Sequence, residues 1–229
     1  MTETDAAPVL LEVWSDLGCP FCYIGSHRLQ LALDARPDAA RFEVAIRSFE
    51  LDPRADRVAE PVAQMFVRRH GGDIPRFLQM EGQVAAMARA EGLEYVEDRP
   101  TANTFDVHRL HHLAQECGLG TAFFTFVQTE YFSGRLDPFD TAALTGAAVS
   151  VGLPEERVVE VLAGSEYADA VRADEAQASE YSATGVPFVV YDGRFATAGA
   201  QDVAGFARAL DQLLPLASTS DSTTTGRQA

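Results

Sequence analysis

The hydrophobic pattern near the start of the chain predicts a strand, a loop and a helix in succession. A short apolar and β-branched run occupies residues 9–14, and residues 15–18 have the composition of a turn. A helical pattern begins at Pro20, a residue suited to the first helical position, and ends near Pro37. Residues 42–49 alternate with a period of two and predict a second strand. Together these elements form a β-α-β start that is typical of parallel pairing.

The middle of the chain carries helical patterns and no regular strand signal. Amphipathic spacing predicts one helix around Val62 and Phe66, and a second helix that Asp73 caps. Further helices are expected from Asn103 or Thr104 to Gly118, over residues 121–132, 141–151 and 154–163, and from Ser165 past Tyr181.

Strand character returns near the end of the chain. Residues 186–191 predict a strand, Asp192 and Gly193 give a hairpin turn signal, and residues 195–197 predict the returning strand. A last amphipathic helix is expected over about residues 202–214. The residues from Ser218 onward are polar and of low complexity, which predicts a disordered tail.

The charge balance excludes several classes of partner. All 18 basic residues are Arg, and 34 acidic residues bring the formal net charge to -16. No cationic patch indicates a nucleic acid or an acidic membrane surface as partner. The first residues lack the basic and apolar regions of a secretory signal, and no apolar run approaches the length of a membrane span. We therefore expect a cytoplasmic globular protein.

The clearest chemical signal is a Cys-x-x-Cys motif at the predicted junction of loop and helix. Cys19 would lie over free backbone amides at the positive end of the helix dipole, so it is the predicted nucleophile. Cys22, on the next helical turn, would resolve a mixed disulfide and should be the more buried of the two. Between them, Pro20 withholds an amide and Phe21 offers no side-chain hydrogen bond, so both residues tune the thiolate.

The other cysteine and histidine residues give weaker indications of a redox or metal-binding role. A tetrahedral zinc site needs about four ligands, and no second Cys-x-x-Cys or Cys/His knuckle accompanies the first. Cys117 falls on an apolar helical stripe and is expected to be a small buried hydrophobe. His108 and His112 share a helix face without an obvious third ligand, so we expect solvated or core-edge histidines, with His111 beside them, and no metal. His27 follows Cys22 by five residues in the same predicted helix, and we expect it either near the Cys19 thiolate or on the surface.

The order of elements and three motifs resemble DsbA-type proteins of the thioredoxin superfamily, and more narrowly their FrnE-like branch. The motifs are residues 14–16 with 19–25, residues 103–104 before 108–110, and residues 199–201. The resemblance implies that Pro187 is a cis-proline packed beside the dithiol. It also implies that Val186 presents its backbone to an extended substrate.

We therefore predict an α/β thioredoxin fold that is interrupted by a large all-α insertion domain. The core would comprise residues 9–51 and 186–214, and the insertion residues 52–185, of which about 165–184 form a long connecting helix. Residues 1–8 would be a flexible N-terminus and residues 215–229 a disordered tail. The active site should lie where core and insertion meet, with Phe66 and Phe105 roofing a groove over Cys19.

The dithiol predicts a thiol–disulfide oxidoreductase that oxidises, reduces or isomerises disulfides of a protein or small-molecule substrate. No cofactor is expected, glutathione is a candidate redox partner, and the resemblance admits a homodimer. The main alternative is a glutathione-dependent isomerase or transferase of the 2-hydroxychromene-2-carboxylate isomerase or kappa type, in which the resemblance implies a serine at the position of Cys19. A non-catalytic chaperone is the third reading. The presence of both Cys19 and Cys22 favours disulfide exchange.

Overall fold

The strands of the main sheet lie towards the two ends of the chain, and the middle is helical except for one pair of two-residue strands, so the insertion predicted to be all-α also contains a short ladder. The computed structural model describes residues 8–71 and 73–218. Its first part contains β1 (Val9–Ser15), α1 (Pro20–Asp34), a short 3-10 helix (Ala39–Arg41) and β2 (Phe42–Ser48). The middle contains β3 (Glu60–Pro61), α2 (Val62–His70), α3 (Ile74–Ala90), β4 (Pro100–Thr101), α4 (Phe105–Glu116), α5 (Gly120–Phe132), α6 (Thr141–Val151), α7 (Glu155–Ala163) and α8 (Ala168–Glu180). The last part contains β5 (Phe188–Tyr191), β6 (Phe195–Ala198) and α9 (Val203–Ser218).

The main sheet joins the two ends of the chain in the order β2-β1-β5-β6. The predicted β-α-β start is confirmed, because β1 pairs in parallel with β2. On its other edge β1 pairs antiparallel with β5, which places Trp14 opposite Phe188. As one of the two inner strands, β1 is apolar and buried along almost its whole length, and α1 and α9 pack together against the sheet. The sheet thus fixes the end of β1, from which the Cys19 loop departs.

The turn between β5 and β6 is the predicted hairpin. Asp192 and Gly193 both have positive φ angles, of 53° and 66°. Two-residue hairpin turns of this kind favour Asn or Asp followed by Gly, because these residues tolerate left-handed backbone best. Strand β5 begins at Phe188, and not at the predicted residue 186, since Pro187 has no N–H to give to the ladder.

The helical middle and the sheet share one hydrophobic cluster. Aromatic residues of α5, among them Phe123 and Phe132, pack in this cluster with Tyr23 and Ile24 of α1 and with Ile46 of β2. The ring of Tyr23 stacks on that of Phe132, with the centroids 4.9 Å apart. The helix that carries the dithiol is therefore packed against the sheet on one side and against the insertion on the other.

Some helix boundaries differ from those predicted. Asp73 caps α3 as expected, because its carboxylate accepts the N–H of Arg76 at 2.8 Å. Helix α8 begins at Ala168 and not at Ser165, since Tyr167 before it has a left-handed φ of 64°. Helix α9 continues to Ser218, beyond the predicted end at residue 214. The predicted flexible residues 1–7 and the tail from 219 lie outside the described residues.

The three histidines of α4 are buried, so the expectation of solvated or core-edge side chains was wrong. Helix α4 is enclosed on all sides, and every residue from 107 to 114 is buried. His111 lies between the carbonyls of Gly120 and Ile46, and burial lowers the pKa of His111 to about 4. His112 Nε2 lies 3.1 Å from Ser48 Oγ and 3.3 Å from Asp174 Oδ2. Both partners contact the same ring nitrogen, so this cluster lacks the relay geometry of a Ser-His-Asp triad.

Cys117 is exposed, and the prediction of a buried side chain was wrong. It follows the last residue of α4 as the C-cap, where the apolar stripe has already ended. Within the described residues, no group of three or more His, Cys, Asp or Glu side chains is arranged to hold a metal ion. None of the helices found there is both long and apolar enough to cross a membrane.

Candidate active site

Cys19 occupies the N-cap position of α1. Its backbone is extended, its carbonyl accepts the N–H groups of Cys22 at 3.1 Å and Tyr23 at 3.2 Å, and Pro20 takes the first helical position. No side chain caps this helix end. The amino-terminal end of a helix carries partial positive charge, and the N-cap position places Cys19 at that end of α1.

Cys22 lies three residues further along the chain, in the first turn of α1, and is fully enclosed. Both cysteines are free and buried, with 0% of Cys22 and 3% of Cys19 exposed, in the predicted order. Burial raises the pKa of the Cys22 thiol well above its usual value, and a hydrogen bond with Cys19 raises it further. A hydrogen bond from the backbone N–H of Asp16 opposes that rise in the pKa. The raised pKa favours the protonated thiol at Cys22.

The loop before β5 brings a proline to the dithiol. The Val186–Pro187 peptide bond is cis, as the resemblance implies. The Cys19 thiol donates to the Val186 carbonyl, with 3.6 Å between the sulfur and the oxygen. The Pro187 carbonyl accepts the N–H of Gly199 at 2.8 Å, so the other end of the hairpin holds the proline in place. The substrate-binding role of Val186 stays a prediction.

Sequence reasoning missed Arg28, which fastens the segment after β6 to α1 and to the end of α3. Its guanidinium forms an ion pair with Glu91 at the end of α3, and it donates to the carbonyls of Ala200 at 3.1 Å and Gln201 at 3.3 Å. The hydrogen bond to Glu91 raises the pKa of Arg28 above its ordinary value. Residues 199–201 form one of the three motifs noted above, and no local signal links them to Arg28.

Gly25 lets α1 approach the proline loop closely. A Cβ atom at this position would lie 3.1 Å from Pro187 Cγ and 3.4 Å from the Ala200 Cβ. A contact of 3.1 Å is tighter than ordinary van der Waals packing, so an added methyl group displaces the loop.

We expect Gly25→Ala to slow disulfide exchange about tenfold, because a small displacement of Pro187 misplaces the substrate relative to Cys19. Overpacking destabilises a fold by about 1–3 kcal/mol, and the better helix propensity of Ala offsets about 0.5–1 kcal/mol of this. We therefore expect Gly25→Ala to lower the free energy of unfolding by about 1 kcal/mol. Single-turnover rates and urea unfolding measure both effects. Gly82→Ala is the matched control, since a Cβ at Gly82 of α3 meets no atom within 4 Å. If Gly25→Ala and Gly82→Ala exchanged disulfides at the same rate, the close contact of Gly25 with Pro187 would have no role in positioning the substrate.

Asp16 and His108 form a buried pair beside the dithiol loop. Asp16 Oδ1 lies 3.3 Å from His108 Nε2, and Asp16 Oδ2 accepts the N–H of Leu51 at 2.8 Å. His108 Nδ1 is buried and has no hydrogen-bond partner among the described residues. An unpaired lone pair is tolerated better there than an unpaired N–H, so we assign the proton of a neutral His108 to Nε2, which donates to Asp16. The pair ties the end of β1 to α4.

Two cavities flank the dithiol loop. The insertion-side cavity has a volume of about 350 Å³, and its walls come from the dithiol loop and from the helices and short strands of the insertion: Asp16, Gly18, Pro20, Leu51, Asp52, Ala55, Val62, Met65, Phe66, Arg69, Phe77, Glu81, Arg99, Thr101, Ala102 and Thr104. The proline-side cavity, of about 340 Å³, is lined by Phe21, Arg28, Met87, Val186, Pro187, Gly199 and Ala200. The exposed Phe21 ring contributes to the latter cavity.

The predicted roof of the groove is only partly correct. Phe66 lines the insertion-side cavity as expected. Phe105 is absent from that wall, because its ring lies under the Arg172 guanidinium, 4.5 Å from the Arg172 Cζ atom. His27 also lies elsewhere, in a separate crevice between α1, β2 and α5. The structure therefore brings together Cys19, Pro20, Phe21, Cys22, Val186 and Pro187, the six residues predicted for the site.

Comparisons with known proteins agree with this architecture. A family model described as a DSBA-like thioredoxin domain matches residues 10–211. A probable DsbA oxidoreductase from Streptomyces coelicolor has 38% sequence identity and a TM-score of 0.86, over 96% of this chain and 94% of that one. No curated protein matches the chain significantly.

More distant solved structures share the fold. The cytosolic disulfide reductase DsbM from Pseudomonas aeruginosa, solved with GSH, has 15% identity and a TM-score of 0.58, over 92% of this chain and 98% of that one. A 2-hydroxychromene-2-carboxylate isomerase has 16% identity and a TM-score of 0.62, over 93% of this chain and 100% of that one. The predicted thioredoxin fold with a helical insertion is thereby confirmed, and the chain belongs to the DsbA-like thioredoxin family.

Proposed function

We propose that this chain is a thiol–disulfide oxidoreductase that works through Cys19 and Cys22. One observation carries the proposal: two free thiols share the first turn of α1, and the Cys19 sulfur faces the carbonyl of Val186 before the cis-proline. An extended substrate pairing with that backbone would present its own sulfur to Cys19. The substrate class is a disulfide or a thiol of a protein or a small molecule.

The proposed reaction is a pair of exchange steps. The Cys19 thiolate attacks one sulfur of the substrate disulfide, forms a mixed disulfide, and releases the other substrate sulfur as a thiolate. Cys22 then loses its proton and attacks the Cys19 sulfur, which releases the second substrate thiol and leaves a Cys19–Cys22 disulfide. The substrate gains two electrons and the dithiol loses two. Run in reverse, the same steps oxidise a substrate dithiol.

The glutathione-dependent isomerase alternative gains no specific support. The isomerase neighbour shares the fold at 16% identity, which carries no activity to this chain. Cys19 and the resolving Cys22 supply a complete exchange mechanism without a bound cofactor. A non-catalytic chaperone would bind its clients through the cavities and would need neither thiol. The cytoplasmic location, the FrnE-like branch and a homodimer stay predictions.

The deciding experiment equilibrates the protein with graded glutathione buffers, traps free thiols by alkylation, and reads them by mass. Because Cys117 is exposed and would form its own adducts with glutathione, the experiment uses a Cys117→Ser background. We expect Cys19 and Cys22 to change together in one two-electron transition. The midpoint potential then gives the direction of electron transfer. A potential above that of the surrounding thiol pool marks an oxidant, and a potential below it marks a reductase.

The matched control is Cys19→Ser in the same background, which should show no such transition. If Cys19 and Cys22 take up glutathione independently, or no disulfide forms between them at any buffer composition, the proposed function is wrong. The chaperone alternative would then survive if the chain still suppressed the aggregation of an unfolded client.

A further inference from the structure

Asp16 contacts both cysteines through its backbone. It precedes Cys19 by three residues in the dithiol loop, and it is only 3% exposed. Its carbonyl accepts the N–H of Cys19 at 3.2 Å, and its own N–H donates to the sulfur of Cys22. A displacement of this one residue therefore changes hydrogen bonds at both members of the dithiol.

Three segments outside the dithiol loop hold Asp16 in place. His108 of α4 donates from Nε2 to Asp16 Oδ1 across 3.3 Å, and Leu51, after β2, donates its N–H to Asp16 Oδ2 at 2.8 Å. The side-chain amide of Gln128 in α5 donates to the Asp16 carbonyl at 3.1 Å. His108 is 0% exposed and Gln128 2% exposed. Two buried side chains of the helical insertion thus reach the residue that contacts the dithiol.

Packing alone does not account for a histidine at position 108. His108 Nδ1 is buried and has no hydrogen-bond partner among the residues that the structure describes. A buried polar atom without a partner destabilises a fold, and an apolar side chain of similar size would avoid that loss. The described hydrogen bonds of His111 and His112 go to β2, α5 and α8 instead. Of these three histidines, His108 is the one that contacts the dithiol loop.

We infer that His108 and Gln128 are positioning residues for the dithiol, which act through Asp16 and set how readily the Cys19–Cys22 disulfide is reduced. This inference rests on the proposed function and adds to it the residues of the insertion that tune its equilibrium. Neither side chain exchanges electrons or forms a bond with the substrate. The two cysteines carry out both exchange steps as given above.

The reduced dithiol gains more from this arrangement than the disulfide does. A thiolate sulfur accepts a hydrogen bond more strongly than a disulfide sulfur, because it carries a negative charge, so the Asp16 N–H stabilises the reduced form. Without His108, the buried Asp16 carboxylate keeps the Leu51 N–H and loses its other donor. Negative charge that is less well compensated disfavours a thiolate nearby. Both effects shift the equilibrium towards the disulfide.

The test measures the redox equilibrium of the dithiol in graded glutathione buffers, in the Cys117→Ser background used above. His108→Leu and Gln128→Leu each remove one donor to Asp16 and keep a side chain of similar size. His108→Gln is the conservative variant, because its amide can donate to Asp16 in place of the ring nitrogen. His111→Leu is the matched control, since His111 is an equally buried histidine of α4 whose described hydrogen bonds go to β2 and α5.

We expect His108→Leu to shift the equilibrium about tenfold towards the intramolecular disulfide, which lowers the potential by about 30 mV. Gln128→Leu should shift it in the same direction by about threefold, because the Asp16 carbonyl keeps the N–H of Cys19. His108→Gln should restore most of the unaltered value. His111→Leu should lower the free energy of unfolding and leave the midpoint potential unchanged. Urea unfolding of the reduced chains shows that each variant is folded.

The midpoint potential separates positioning from a purely structural role. A substitution that destabilises the reduced and oxidised chains equally leaves the equilibrium between them unchanged. If His108→Leu and Gln128→Leu have the midpoint of His111→Leu, the inference is wrong and the proposed function stands. An equal shift for His108→Gln and His108→Leu would also overturn the role of the His108 hydrogen bond.

Two further results are decisive. If His108→Leu does not fold, Gln128→Leu and His108→Gln decide the test, and unchanged potential in Gln128→Leu overturns the inference. If the chain with both residues intact shows no two-electron transition, the proposed function itself fails. The failure of the inference is therefore distinguishable from the failure of the function.

Discussion

A Cys19→Ser chain is expected to lose disulfide exchange by roughly a thousandfold or more, because a serine hydroxyl does not ionise near neutral pH and cannot replace the thiolate. The fold should persist. The Cys19 sulfur makes only weak contacts, with the Val186 carbonyl at 3.6 Å and with the Cys22 thiol, and a smaller hydroxyl fits the same N-cap position. The measurement is the single-turnover rate at which reduced protein opens a fluorogenic peptide disulfide.

Cys22→Ser is expected to behave differently from Cys19→Ser. Cys19 can still attack, but the mixed disulfide is no longer resolved, so a covalent adduct of protein and substrate accumulates and is visible by mass. Cys117→Ser, which removes the exposed thiol at the end of α4, should keep the full rate. An adduct on Cys22 in the Cys19→Ser chain, together with a rate like that of the unaltered protein, would reverse the assigned roles.

Arg99→Met is expected to destabilise the fold by about 3–5 kcal/mol, the largest stability effect we anticipate. The Arg99 and Glu81 side chains form an ion pair that is almost fully buried, with 2% and 9% of their areas exposed. Tyr95 donates its hydroxyl to the same Glu81 oxygen at 2.6 Å, and the Arg99 Cζ lies 4.9 Å from the centroids of the Tyr95 and Phe132 rings. Removing the cation leaves the Glu81 carboxylate buried with Tyr95 as its remaining partner.

A double variant separates the lost charge from the lost packing. If the buried carboxylate causes the loss, adding Glu81→Gln to Arg99→Met should recover more than half of it, because the second change removes the uncompensated charge. Urea unfolding followed by the fluorescence of the single tryptophan, Trp14, measures the free energy of unfolding. The control is Arg135→Met, which breaks an exposed ion pair with Glu130 and should leave the midpoint unchanged. A double variant no more stable than Arg99→Met would assign the loss to the aromatic contacts.

The pair of Arg99 and Glu81 shows why the site was only partly predictable. Its members come from α3 and from the segment before β4, and neither residue stands out in the sequence. The same holds for Arg28 and Glu91. Such pairs arise because helices separated in the chain pack side by side, and hydrophobic periodicity identifies a buried face without naming the polar group that meets it.

Helix α4 illustrates a second limit. Periodicity assumes that one face of a helix is solvated, but α4 is enclosed on all sides, so its histidines are buried. Cys117 shows the converse error. It continues the apolar stripe in the sequence, yet it lies past the last helical residue and is exposed.

By itself, the sequence determined the features that depend on local interactions. Strand β1, the dithiol at the start of α1, the Asp73 cap and the Asp192–Gly193 turn each depend on neighbouring residues, because backbone geometry and capping act over a few positions. The cis-proline was expected through resemblance to a family. Only the tertiary structure placed the Val186 carbonyl at the Cys19 sulfur and paired the cations around the cavities. Those contacts join residues that are apart in the chain. Only the packing of the sheet and the insertion brings them within the distance of a hydrogen bond or an ion pair.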